Sequence, residues 1–219
     1  LLPERNGARF DQSRSVESLA AGILRTIRET QPTGPYYIAG WSVGGLLAYE
    51  IAGQLRAVGE AVAWLGVLDA GPPAFTRQAM REELSLSRRL ARQRQRGLGG
   101  AVRHSEVVVK RELTAALVRL RLRRSHVEDD FDWRGAHKVA SRYSCPGNDV
   151  PMDLFLTAGG AGAGRSRSLG WDEVHKGPLH THEVPGGHES MVQEPNVSVV
   201  AEMLTRALRR AQAAERRAS

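Results

Sequence analysis

Gly34-Pro35-Tyr36-Tyr37-Ile38-Ala39-Gly40-Trp41-Ser42-Val43-Gly44-Gly45 runs on into Leu46-Leu47-Ala48-Tyr49-Glu50, and the reading of this stretch decides the fold. Tyr36 to Ala39 is a short apolar run rich in strand formers, placed after the turn Gln31-Pro32-Thr33-Gly34-Pro35. After Gly45 the apolar positions Leu46, Leu47, Tyr49, Ile51, Leu55 and Val58 continue as a helix, which Gly59 ends as a C-cap. Between them sits Gly40-Trp41-Ser42-Val43-Gly44, a Gly-x-Ser-x-Gly string. The string alone is weak evidence, but at a strand-to-helix turn it has the setting of a nucleophile elbow. Glycines on either side of Ser42 would let strand and helix approach without Cβ clashes. The helix N-terminus favours a developing oxyanion, with the Val43 backbone N–H as one donor.

Working outward, Ala61 to Leu68 is apolar without alternation, as in a strand buried on both faces. Strand, helix and strand at this length predict a right-handed crossover unit of a parallel sheet. Upstream, Ser15 is an N-cap for a helix carrying Val16, Leu19, Ala20, Ile23, Leu24 and Ile27 to about Glu29. From Pro72-Pro73 to about His137 the pattern turns helical, broken at Gly97-Leu98-Gly99-Gly100, with Leu113, Leu117 and Leu120 on one face. An inserted helical subdomain over about residues 72–137 is predicted. Strand character returns at Met152 to Thr157 and at His180 to Val184. A last helix is expected from about Asn196 through Leu208, fraying into an Ala/Arg tail.

A serine hydroxyl needs a base held by a third group. Asp69 ends the strand that follows the Ser42 elbow, so adjacent parallel strands would bring both to one carboxyl edge. The end of the Met152 to Thr157 strand is the other place for an acid, but Ala158 to Leu169 contains no Asp or Glu. Asp69 could instead be a turn residue capping the insertion. Among seven histidines, His188 follows the last strand through Pro185-Gly186-Gly187 and precedes the last helix. His104, His126 and His137 lie in or beside the insertion. His180 and His182 share a strand face, yet no third metal ligand has sensible spacing, so no metal is expected. The loop Gly159 to Gly164 lacks the Lys-Ser/Thr ending of a phosphate cradle and reads as a surface loop.

In 219 residues, 41% of them apolar, there is material for one domain with a real core. The longest apolar run, Ala61 to Leu68, is too short to span a bilayer. A single cysteine, Cys145, makes no internal disulfide, and a reducing cytoplasm is the expected compartment. The net charge of +7 is concentrated: Arg77 to Arg124 holds thirteen Arg and one Lys against four Glu, a local +10 that leaves −3 elsewhere. Lys110, Lys138 and Lys176 are the only lysines, and a GC-rich genome would give such an Arg bias without functional meaning. A solvated Arg-rich helical surface is the first reading, an acidic protein partner the second, and specific nucleic-acid binding is not expected.

The segment Gly34 to Gly45 with Ala48-Tyr49-Glu50 resembles the thioesterase domains that end nonribosomal peptide synthetases and polyketide synthases. Leu68-Asp69-Ala70 resembles them too, as does Val184-Pro185-Gly186-Gly187-His188 with Ser190-Met191 and Glu194-Pro195. The resemblance implies an α/β-hydrolase fold, a mostly parallel sheet flanked by helices, with a helical lid inserted after the strand that bears the acid. It implies Ser42 as nucleophile, His188 as general base and Asp69 as the group that orients the imidazole. An acyl or peptidyl chain would pass from the phosphopantetheine thiol of a carrier protein to Ser42, then to water or an internal nucleophile. Neither metal nor redox cofactor is required, and a monomeric domain with its carrier upstream in the same polypeptide is implied.

The family has further strands and a helix before Ser15, where a loop supplies the second oxyanion donor. The chain starts Leu1-Leu2-Pro3 rather than with Met. It is therefore expected to be part of a longer polypeptide, N-terminally incomplete for this fold and missing that donor. Glu189 stands where the family often has an apolar residue. A trans-acting editing thioesterase or a carboxylesterase remains a reading within the fold. In another class stands a non-catalytic binding module with a basic helical surface.

Overall fold

A computed structural model describes residues 14–75, 133–157 and 167–218. Helix α1 (Val16–Thr30) leads to strand β1 (Tyr36–Trp41), helix α2 (Val43–Ala57) and strand β2 (Val62–Leu68). Helix α3 (Trp133–Ala140), strand β3 (Met152–Thr157), strand β4 (Leu179–Val184) and helix α4 (Asn196–Ala218) follow. Ser15 caps α1 as expected: its Oγ accepts from the Ser18 N–H, and Ser18 returns the bond to the Ser15 N–H. Most of the predicted insertion, residues 76–132, lies outside the described residues, as does the glycine loop 159–164. Helix α3 spans the point near His137 where the sequence places the insertion's end.

Among the described residues the sheet has four strands in the order β1-β2-β3-β4, every pair parallel. Each of the four therefore delivers its following loop to the same carboxyl edge. The lack of alternation in β2 has a direct cause, because the strand is covered on both sides. Leu65 and Val67 face a core built with α1 and α2, while Trp64 and Leu68 face a second core shared with Phe155, Val184, Met191, Val200 and Ala207. Helices on both faces of a parallel sheet give the α/β layering that the α/β-hydrolase resemblance implies. Helix α2 is buried nearly all round, and its one charged buried side chain, Glu50, accepts from the Tyr143 hydroxyl at 2.6 Å and from Gln54 at 2.8 Å.

Helix α4 does not fray after Leu208 but continues to Ala218. The Ala, Arg, Gln and Glu of this segment are strong helix formers, and tertiary anchors hold it. Tyr37 on β1 donates its hydroxyl to Glu215, and Arg210 reaches the buried Asp153 on β3. No helix among the described residues, this long one included, is apolar enough to cross a membrane.

Asp153 collects three partners: Trp64 Nε1 donates to Oδ2 at 2.6 Å, Arg210 donates to Oδ1 at 2.5 Å, and His182 Nε2 lies 2.5 Å from Oδ1. Its burial opposes ionisation, yet these hydrogen bonds and the Arg210 charge hold the carboxyl below the usual carboxylate range. An Asp153→Ala variant strands the buried Trp64 N–H and frees α4 from β3. It should lower the unfolding free energy by about 2–4 kcal/mol in urea titration. Because the folded value is depressed, the deficit should be complete above the unfolded value of about 3.9 and shrink as pH falls through the folded one. An unchanged urea midpoint at pH 7 would show that the cluster contributes nothing.

Candidate active site

The Ser42 turn is shaped by space rather than by glycine's freedom of φ. A Cβ on Gly40 would lie 1.9 Å from the Gly44 carbonyl oxygen and 2.7 Å from the Gly45 nitrogen, so the strand end and the first helical turn already touch. On the helix side the tight glycine is Gly45, whose Cβ would meet Ala70, Gly40 and Val67 at 3.1 Å, whereas Gly44 faces open space. The motif thus points one residue away from the glycine that packing requires. Held this way, Ser42 adopts φ 56° and ψ −128°, a conformation a non-glycine residue keeps only under tertiary constraint. Its N–H is tied to the Leu68 carbonyl at 3.0 Å.

Asp69 follows β2 as Ser42 follows β1, also at positive φ, 48°, with its N–H donated to the Phe155 carbonyl at 2.8 Å. Its side chain is 6% exposed. At the end of β3, where the sequence offered no acid, stands Thr157. Its N–H at 3.1 Å and hydroxyl at 3.2 Å both reach Asp69 Oδ1. That leaves Oδ2 for His188, whose Nδ1 lies 2.8 Å away. The opposite ring nitrogen, Nε2, lies 3.0 Å from Ser42 Oγ.

His188 is delivered by the turn after β4. Gly186 sits at φ 90°, and a Cβ there would strike Asn196 at 2.6 Å and Ser190 at 2.8 Å. Ser190 Oγ accepts from the Gly187 N–H at 2.8 Å, while Asn196 donates to the Ser190 carbonyl at 3.1 Å. The imidazole itself stacks on Trp41, centroids 5.1 Å apart and planes inclined by 28°.

Burial works against an ionised Asp69, but the hydrogen bonds from His188 and Thr157, with the charge an imidazolium would carry, hold its carboxyl below the usual carboxylate range. From α3, His137 also feels this site: desolvation, and the charge His188 would carry as an imidazolium, hold its imidazole below the usual histidine range. Val43 opens α2, so its N–H has no acceptor within the helix. Of the two histidines on β4, His182 stacks on Phe155 at 4.8 Å and engages Asp153. No group of three or more His, Cys, Asp or Glu that could hold a metal ion occurs among the described residues. A cleft of about 630 Å³ lined by Gln54, Arg56, Asp149 and Lys176 lies along the later turns of α2 and shares no residue with this site.

Thr157, Trp41 and His137 escaped the sequence reading. Nothing in sequence spacing marks the first, whereas Trp41 and His137 were visible as residues but not as neighbours of His188.

The Thioesterase domain family matches residues 2–208. The chain belongs to this family. As a thioesterase domain it resembles parts of much larger synthases. It is 46% identical over 71 residues to enterobactin synthase component F of Escherichia coli K12, covering 32% of the chain and 5% of that protein. Over 209 residues it is 28% identical to the non-reducing polyketide synthase terA of Aspergillus terreus, covering 90% of the chain and 10% of that protein. Among solved structures it is similar to the NocB thioesterase domain in covalent complex with a fluorophosphonate nocardicin G analog. There the TM-score is 0.62 and the identity 25%, over 93% of this chain and 79% of that one.

Proposed function

We propose that this thioesterase domain releases an acyl or peptidyl chain from the phosphopantetheine thioester of a carrier protein, with Ser42 as nucleophile, His188 as general base and Asp69 as its orienting partner. The observation that carries the reading is the unbroken relay from Asp69 Oδ2 through both nitrogens of His188 to Ser42 Oγ. In the tautomer protonated at Nδ1, His188 donates to Asp69 and accepts from the Ser42 hydroxyl. As Oγ bonds to the thioester carbonyl carbon, its proton moves to Nε2 and the carbonyl electrons move onto oxygen, which the Val43 N–H faces. Collapse of the tetrahedral intermediate breaks the C–S bond, and the departing thiolate takes the proton from Nε2. Water, or a nucleophile within the acyl chain, then repeats the cycle on the Ser42 ester, giving hydrolysis or cyclisation. Throughout, Asp69 stays ionised, because its depressed value keeps it a carboxylate from neutral into mildly acidic pH.

Carrier-borne substrates are supported by the synthases of which this family's members form parts. An activated serine is supported by the fluorophosphonate complex of the NocB domain. The test is intact-mass analysis of the chain after treatment with an alkyl fluorophosphonate, followed by peptide mapping. One adduct per chain, located on Ser42, is expected. An adduct elsewhere, or none on the folded protein, overturns the assignment.

A further inference from the structure

We propose that Trp41 is a positioning residue for His188, holding the plane of the imidazole and its backbone together so that Nε2 meets Ser42 Oγ; this rests on the Ser42–His188–Asp69 reading above. His188 is the most exposed of the ionisable pair it forms, with 44% of its side chain open against 6% for Asp69. Its two hydrogen bonds run through opposite nitrogens in the ring plane. Two such bonds fix the line along which the ring lies and leave its tilt about that line open. The face of Trp41 supplies the missing constraint, stacked at 5.1 Å and 28°. The same indole also donates its Nε1–H to the His188 backbone carbonyl at 3.2 Å. One side chain thereby holds both the ring and the main chain of a residue 147 positions away.

Trp41 is not placed there by burial. It is 38% exposed, one of few large apolar side chains left open among the described residues, while Trp64 and Trp171 are buried. Its position adds a second reason. Trp41 ends β1 and immediately precedes Ser42, so the two residues that must meet are set from one dipeptide. The aromatic face also lies against the ring that becomes imidazolium when Ser42 gives up its proton, an electrostatically favourable neighbour for a cation. Small errors in such an alignment slow the chemical step by up to about 10²-fold.

The experiment is time-resolved fluorophosphonate labelling of the full chain, wild type against Trp41→Phe and Trp41→Ala, read by intact mass. It separates the maximal labelling rate, the reagent concentration at half-maximal rate, and the final number of adducts per chain. Trp41→Ala should label about 10- to 100-fold more slowly at saturation, with the half-saturating concentration changed less than about twofold and still one adduct per chain. Trp41→Phe keeps a smaller stacking face and loses the N–H, so it should recover to within about fivefold of wild type. A wild-type rate in Trp41→Ala overturns the proposal. So does a lowered final stoichiometry with an unchanged rate in the fraction that labels, because that reports lost folding alone. Phe that is as slow as Ala also overturns the proposal, because a retained aromatic face then does nothing to hold the ring. A wild-type chain that takes no adduct on Ser42 overturns the triad reading itself, and the role of Trp41 with it.

Discussion

A His188→Ala variant should turn over an acyl thioester about four to six orders of magnitude more slowly than wild type, while its melting temperature stays within a few degrees. His188 touches Ser42, Asp69 and Trp41 from a half-open loop, and its side chain contributes little to either core. Its loss therefore acts on chemistry. Without it the Ser42 proton has no acceptor at 3.0 Å, and a neutral hydroxyl must attack the carbonyl unaided. Asp69→Asn provides the graded companion. The amide can still accept from Thr157, but it cannot offer a carboxylate to Nδ1, and its NH₂ favours the wrong imidazole tautomer. A loss of about 10³- to 10⁴-fold in kcat is expected there, smaller than for His188→Ala because the base itself remains. Steady-state kinetics on an acyl thioester with circular dichroism on each variant decides the matter. Should Asp69→Asn keep near wild-type kcat, the acid has been assigned wrongly.

Gly40→Ala should destabilise the protein by more than about 4 kcal/mol, the largest stability effect of any single methyl group at the elbow. Its cause is not φ, since Gly40 is not in the left-handed region. The new Cβ would sit 1.9 Å from the Gly44 oxygen and 2.2 Å from its carbonyl carbon, and both belong to backbone that cannot swing aside. Relief requires moving the end of β1 away from the start of α2, which breaks the Ser42 N–H bond to Leu68 and shifts the serine off His188. Gly44→Ala is the control. A Cβ there meets nothing within 4 Å, and alanine is the better helix former by about 1 kcal/mol. Guanidinium titrations of both variants should therefore diverge, one collapsing and the other holding or gaining. Similar midpoints for the two would mean that the close approach at Gly40 relaxes cheaply.

How far the site could be read in the sequence depends on how local each signal is. Ser42 was legible because strand formers, glycines and a helical period meet within a dozen residues, a pattern that few other arrangements produce. Asp69 and His188 were legible because parallel strands expose chemistry at their carboxyl ends, and each follows a strand with turn residues close behind. The extent of α4 is not legible in the sequence, for the opposite reason. Its last two turns read as a polar tail until Tyr37 and Asp153, on two different strands, are seen to hold Glu215 and Arg210.

Sequence alone thus indicated the order of β1, α2, β2, β3, β4 and the last helix, the unalternating character of β2 and three candidate residues that meet at the sheet edge. Those follow from periodicity and from the residues that end each element. Only tertiary structure decided that Thr157 rather than an acid ends β3 beside Asp69, that Gly45 rather than Gly44 fills the tight place, and that Trp41 lies against His188. Each depends on strand register or on two segments meeting from far apart in the chain. Separations such as the 88 residues between Asp69 and Thr157 leave no periodic trace in sequence, because the contact is made by the register of β2 on β3 and not by the chain between them.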